Sequence, residues 1–485
     1  MAGIGVSLYK LFRKNTLLFS LVGSCYSTVI TIAPMVLVIG TLLLMERFLG
    51  FYQISYAKQE LFSCLILYIF IFAQLVAAPF NAVLSKYLAD VLYVERYEDV
   101  APCFSIGLFL NVFLGVLIGA PFCAYVYLVG RVELGFVCIG FCGYVALVMA
   151  FYGSVYLNAW KGYRRIALYF LLGMLFAFLL AAVLALAADI PVTYALLIGL
   201  ALGFLLIACL EFATVRNYFT ENSNRYRPVL VYFKKYWKLA ATNFFYVLGM
   251  YIHNFVYWQS ELRVTVAKSF LTAPPYDMAA FLAVLTNLSA NVIFVTRVEM
   301  HFHGKYKAYA EAIVDGRGID IERAKVRMFQ QLSEELMTLV RVQFLISIAL
   351  YLVCVLALPR IGFSGLVMKI YPCMAAGYFI LFVMYSAILF LGYYQDHAGS
   401  LLAVACFCTV TLAASRFAGG LPEIWYGLGI VLGSLAGWVA AYSRLRWIEK
   451  HIDRHMFCQG QLLKRGRGRK PSQRVYRKKA GTVKG

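Results

Sequence analysis

Within stretches that are otherwise almost wholly apolar, neutral hydrogen-bonding side chains recur at helical spacing. Ser20, Ser24, Ser27, Thr31 and Pro34 fall at i, i+4, i+7, i+11 and i+14, one continuous face. Gln74 and Asn81 are seven residues apart, and Asn287 and Asn291 are four apart. Asn243, Tyr246, Met250, Asn254 and Trp258 form a further stripe. Amides, hydroxyls and aromatic rings offer many uncharged hydrogen bonds and flat apolar faces, which suit a sugar polymer. A cation site would place carboxylates at mid-stretch, and there are none. The same polar residues also serve as bonds between helices, each worth about 0.6 kcal/mol in a membrane, and the sequence leaves both uses open. Four acids, Glu211, Asp277, Glu299 and Asp396, lie near the ends of apolar stretches. They suit either proton or sodium coupling or an interfacial charge beside a base, as with Glu299 near Arg297.

Positioning these faces requires helices in lipid. The 485-residue chain is 62% hydrophobic, with a mean hydropathy of +0.77. About 20 apolar residues cross the hydrocarbon as a helix, and backbone groups there must bond within the segment. Spans are expected near 17–45, 61–84, 102–129, 133–158, 166–188, 192–214, 237–259, 278–300, 342–359, 370–393, 398–417 and 424–443. The fold class is therefore an all-α polytopic membrane protein with about twelve transmembrane helices in two six-helix lobes. Orientation follows the basic residues, which resist translocation. With the N-terminus inside, only eight of the 44 Lys and Arg fall outside: Arg47, Lys58, Arg131, Arg263, Lys268, Arg360, Lys369 and Arg416. Both termini are thus expected in the cytoplasm.

Residues 1–16 read as an interfacial amphipathic N-terminus, 17–214 as an N-lobe of six spans and 215–236 as a cytoplasmic linker (RNYFTENSNRYRPVLVYFKKY from Arg216). Residues 237–445 read as a C-lobe with a cytoplasmic helical segment at 301–341, and 446–485 as a basic tail. Halves joined in this way place a substrate path between them. Gly115/Gly119, Gly199/Gly203 and Gly429/Gly433/Gly437 lie one turn apart, as in close helix packing. The 301–341 segment reads as two amphipathic helices broken at Asp315–Gly318. Its stripe of Ile321, Ala324, Met328 and Leu332 could lie on lipid or dock a partner. The net charge of +21 is mostly a topology signal. The run Lys464–Lys484 (KRGRGRK and onward) is expected to lie against anionic lipid. No nucleic acid is expected, since Tyr476 is its sole stacking aromatic. The 12 cysteines include no CxxC pair and read as packing residues. There is no GxxxxGK[ST] phosphate loop, and no segment is large enough for a nucleotide-sugar glycosyltransferase domain. His451, His455 and Cys458 are loose metal ligands at best. The chain is expected to be no enzyme, with no catalytic residue, cofactor or metal.

Several segments resemble a known family. MAGIGVSLYKLFRK resembles its MAGIGF-type start, FNAVLSKYLADVLY its segment after the second span, and NAWKGYRRI its loop after the fourth. The most specific is YDMAAFLAVLTNLSANVIFVTRVEMHFHGKYKAYAEAI, Tyr276 to Ile313. From residue 1 to about 455 the chain resembles the PelG family, transport subunits of Pel exopolysaccharide (biofilm) systems. That family is a branch of the flippase superfamily that includes polysaccharide and drug/toxin exporters. The chain departs from it at Ala33-Pro34-Met35, where the family has Gly-Pro-Trp, and at His253-Asn254, where it has an Asp-Lys pair. The role of that charged pair is therefore not carried over, and the chain is a divergent member. The resemblance implies export of an N-acetylhexosamine-rich polysaccharide between the lobes, beside a cytoplasmic glycosyltransferase and membrane scaffold subunits. Lipid-linked oligosaccharide flipping, cation-coupled drug antiport and a scaffold role are the alternatives.

Overall fold

The structure, a computed structural model, describes residues 17–159, 162–287, 302, 304–313, 316–361 and 365–453, with side chains from 32 onward. The first half is built from α1 (Leu17–Phe48), α2 (Tyr56–Tyr93), α3 (Val100–Leu128), α4 (Leu134–Ala159), α5 (Tyr163–Leu186) and α6 (Val192–Tyr218). A short α7 (Arg227–Lys235) follows, then α8 (Trp237–Tyr257) and a hairpin of β1 (Val264–Val266) and β2 (Phe270–Thr272). The chain continues through α9 (Pro274–Asn287), α10 (Gly318–Ala357), α11 (Leu366–Tyr393), α12 (His397–Ala418) and α13 (Leu428–Asp453). Among the described residues, nine helices are long and apolar enough to cross a membrane: α2 to α6 and α10 to α13. This is a multi-pass membrane protein.

The packing repeats. In the first half α1 packs on α5, α2 and α3 on α4, and α4 and α5 on α6. In the second half α8 packs on α12, α9 and α10 on α11, and α11 and α12 on α13, the same pairs in the same order. Small residues permit the closest of these approaches. A Cβ on Gly203 would lie 2.7 Å from the Ala177 Cβ and 2.8 Å from the Gly173 carbonyl of α5. On α13, a Cβ added to Gly429 or Gly433 would lie 2.9 Å from the Cα of Ser415 or Thr411 of α12, respectively. Without a hydrophobic drive between helices in lipid, such contact area is what holds helix pairs together. Gly115 and Gly119 differ, because their face receives the rings of Tyr144 and, at Gly119, Phe141.

Two expectations need correction. The span at 342–359 is not a separate helix; it is the second half of α10, which runs unbroken for 40 residues from Gly318. The amphipathic stretch and the apolar stretch share one helix because the composition changes near residue 341 while the helix preference of the backbone does not. The docking stripe is also spent inside this chain. Met328 and Leu332 are 0% and 6% exposed, Phe329 stacks on Tyr394 at 5.8 Å, and Ile321 packs against the same core. Met328 and Leu332 are thus covered by their own chain, whereas Ile321 and Ala324 are only partly buried.

The linker is tied down as well. The Ser223 hydroxyl donates to Asp99 at 2.6 Å, Val229 is buried, and Phe233 meets Phe80 edge-on. The Tyr232 hydroxyl donates to Asp90 of α2. Burial, followed by that carboxylate, pushes the Tyr232 phenol above its ordinary range, so it stays a protonated donor at neutral pH. The ten described cysteines are free thiols.

Candidate substrate path between the lobes

The turn from α8 through the hairpin into α9 is organised by one carboxylate. Asp277 stands in the first turn of α9, where the helix dipole favours negative charge. It accepts from Asn254 Nδ2 at 2.7 Å, Trp258 Nε1 at 3.0 Å, Thr272 Oγ1 at 2.8 Å and the Ala273 amide at 3.1 Å. Pro274 and Pro275 open the helix, where a missing N–H does no harm. Asp277 has no ion pair among the described residues, so it is not an interfacial charge beside a base. Asp396 is: Arg444 Nε donates to it at 2.5 Å while it caps Gly399 of α12. Glu211 is buried within the first lobe, where Ser154 donates to it at 2.7 Å. Glu299 lies outside the described residues.

Beside Asp277, the two halves meet along α2 and α8. Tyr68 of α2 stacks on Trp258 at 4.9 Å and on Phe122 at 5.5 Å, and meets Phe270 edge-on at 5.2 Å. Its hydroxyl donates to the Leu271 carbonyl at 2.8 Å and accepts the Leu271 amide at 3.1 Å. Deeper in the seam, Phe72 stacks on Phe255 at 6.2 Å, and the Tyr251 hydroxyl donates to Gln74 Oε1 at 2.8 Å. Behind α8, buried His253 lies between Tyr276 at 2.9 Å and Tyr378 at 3.2 Å. The Tyr378 hydroxyl donates to the Met250 carbonyl at 3.4 Å, so the consistent tautomer donates from Nε2 to Tyr378 and accepts from Tyr276 at Nδ1.

The polar residues singled out from the sequence thus fall into groups. Gln74 is on the seam, and Asn254 and Trp258 hold its hairpin wall through Asp277. Tyr246 stacks on Tyr385 of α11 at 4.6 Å, and Asn243 donates to its own helix at Leu239. Asn81 donates to the Phe151 carbonyl of α4 at 3.3 Å. Asn287 donates to Ala375 of α11 at 3.1 Å and accepts from Ser347 of α10 at 2.6 Å. Both join helices within one lobe. Pro34 is half-buried in α1; the side chains of Ser24 and Thr31, and all of Asn291, lie outside the described residues.

Sequence reasoning missed Tyr68 and the hairpin. The strands pair Val264 with Thr272 and Val266 with Phe270 around a three-residue turn. Ala267 and Lys268 adopt φ of 47° and 56°, the left-handed region usually marked by Gly, Asn or Asp. The usual turn residues are missing, so only the Pro-Pro pair after β2 flagged a boundary.

The arrangement is an interlobe seam of aromatic faces and uncharged donors. Solved structures share its fold. A MATE transporter in complex with MaL6 aligns with a TM-score of 0.59 at 12% identity, over 89% of this chain and 97% of that one. A multidrug resistance MATE transporter of the MOP superfamily in an outward-facing conformation gives 0.60 at 14%, over 93% and 99%. A MOP superfamily transporter from Pyrococcus furiosus gives 0.58 at 13%, over 87% and 96%. At such identities the likeness speaks for the fold alone. No curated protein matches the chain. The PelG family model, described as "Putative exopolysaccharide Exporter (EPS-E)", matches residues 1–457. With that family match and a MOP-type fold, the molecule is a membrane transporter, and the chain belongs to the PelG family of exopolysaccharide exporters.

Proposed function

We propose that the protein passes an N-acetylhexosamine-rich polysaccharide across a bacterial cytoplasmic membrane, along the seam between its lobes. The observation carrying this reading is the seam itself, where Tyr68, Trp258, Phe72, Phe255, Gln74 and Tyr251 offer stacking faces and neutral hydrogen bonds. In this reading α1, α8 and α9 join the nine apolar helices as spans, twelve in all, so that both termini share one side; the basic residues favour the cytoplasm for that side, with the hairpin outside. The hairpin end is closed by Tyr68, so release requires that contact to part while the lobes rock, as in alternating access. A cytoplasmic glycosyltransferase and membrane scaffold subunits supply the polymer, and the basic tail after 446 rests on anionic lipid.

The test is secretion of polymer by cells carrying Gln74→Leu and Tyr251→Phe, with the protein's abundance in the membrane measured in parallel. The proposal expects less secreted polymer at normal abundance. Unchanged secretion with both substitutions would remove the seam as the path.

A further inference from the structure

The first lobe holds a cavity of about 200 Å³ between α2, α3 and α4, beside the hairpin. Its walls include Leu65, Val126, Phe136 and Val137, and its lining is almost entirely carbon. The Tyr144 hydroxyl is buried there with no hydrogen-bond partner. Glycine lets the walls close in around it. A Cβ on Gly119 would lie 2.8 Å from the Tyr144 ring and 3.0 Å from that of Phe141, and one on Gly140 would lie 2.8 Å from Leu65. Ile118, 42% exposed, lines the cavity and continues the exposed face formed by Val116 and Leu117 of α3 and Leu134 of α4. In a membrane that face is covered by hydrocarbon.

Water does not fill such a space, since a buried water needs two to four polar partners, about three on average. An empty cavity forfeits dispersion contacts along its whole lining. The filler must be apolar and must arrive from the bilayer. We infer that this cavity is a binding site for one acyl chain of a membrane phospholipid, entering past Ile118. Tyr68, Phe122 and Phe270 line it. The chain therefore packs on the rings that close the seam, and lipid occupancy supports the closed hairpin end.

The test uses the full-length protein in vesicles of phosphatidylethanolamine and phosphatidylglycerol, a fraction of the lipid carrying a diazirine in its acyl chain. After illumination, labelled residues are mapped by mass spectrometry. Label is expected at buried Val126 and Val137 as well as at exposed Leu171 and Leu175 of α5. Ile118→Trp, which plugs the mouth, and Val137→Phe, which fills the interior, should each remove label from Val126 and leave the α5 label intact. Ile118→Ala should retain it. Label at Val126 and Val137 no higher than at buried Leu200 and Phe204 of α6 would overturn the site. So would label that persists in both filling variants. Label displaced by an equimolar polyprenyl phosphate would overturn the phospholipid assignment and give the cavity to a lipid-linked ligand.

Discussion

Asp277 and Tyr68 show how single side chains set the seam. Removing the carboxylate leaves the donors of Asn254, Trp258 and Thr272 buried without an acceptor, and hydrogen bonds to a charged group are worth about 1.5–3 kcal/mol each. Asp277→Ala is therefore expected to lower the unfolding temperature of the detergent-solubilised protein and to reduce secretion. An unaltered melting curve would mean that the hairpin holds without it. Tyr68→Phe keeps the ring stacks but removes both bonds to Leu271, about 1.5 kcal/mol in all. That corresponds to roughly a ten-fold larger share of molecules open at the hairpin. A cysteine placed at buried Ser269, in a chain otherwise free of cysteine, should react correspondingly faster with a membrane-impermeant maleimide. At this scale the sequence was half legible. The i, i+4 spacing put Asn254 and Trp258 on one face, yet their common partner lies some 20 residues further on, across a hairpin. Tyr68 looked like any other aromatic in an apolar run, because its role depends on a backbone group about 200 residues away.

Helix pairs are decided by what fits between their backbones. Gly433→Val would drive a branched side chain into Thr411 and part α12 from α13. We expect little folded protein in the membrane, judged by size-exclusion profile. Gly392, near the end of α11, has no atom within 4 Å of an added Cβ. Gly392→Ala should therefore hold or raise stability, by up to about 1 kcal/mol from the helix preference for alanine over glycine. Equal behaviour of the two variants would show that packing at Gly433 is looser than drawn. Glycine spacing was readable because one small residue per turn makes a groove at any crossing. The continuity of α10 was not readable, since a change from mixed to apolar composition signals a change of solvent while leaving helix formation unaffected.

Across the whole molecule the two halves share one pattern of helix pairs that no residue-level repeat announced. Packing geometry depends on where small and large side chains fall, and many sequences satisfy the same arrangement. The proposed twelve-span arrangement makes a direct prediction. Reporters inserted in 219–224 and fused after residue 453 should both read cytoplasm, and one near Pro274 should read outside. A cytoplasmic signal at Pro274 would reverse the orientation and place the Tyr68 closure on the inner side.

The length of α10 has a mechanical consequence. Beyond Gly318 it contains neither Pro nor Gly, the usual origins of a kink, whereas α1, α2, α3 and α11 each carry an internal proline. At about 1.5 Å per residue it is a strut of roughly 60 Å. It is clamped near one end by Met328 and Leu332 and lies in lipid at the other. A torque applied around Arg323 and Arg327 has no joint in which to dissipate, so it is delivered to the far end by leverage. Anything that grips the outer turns of this strut could steer the second lobe without touching the seam.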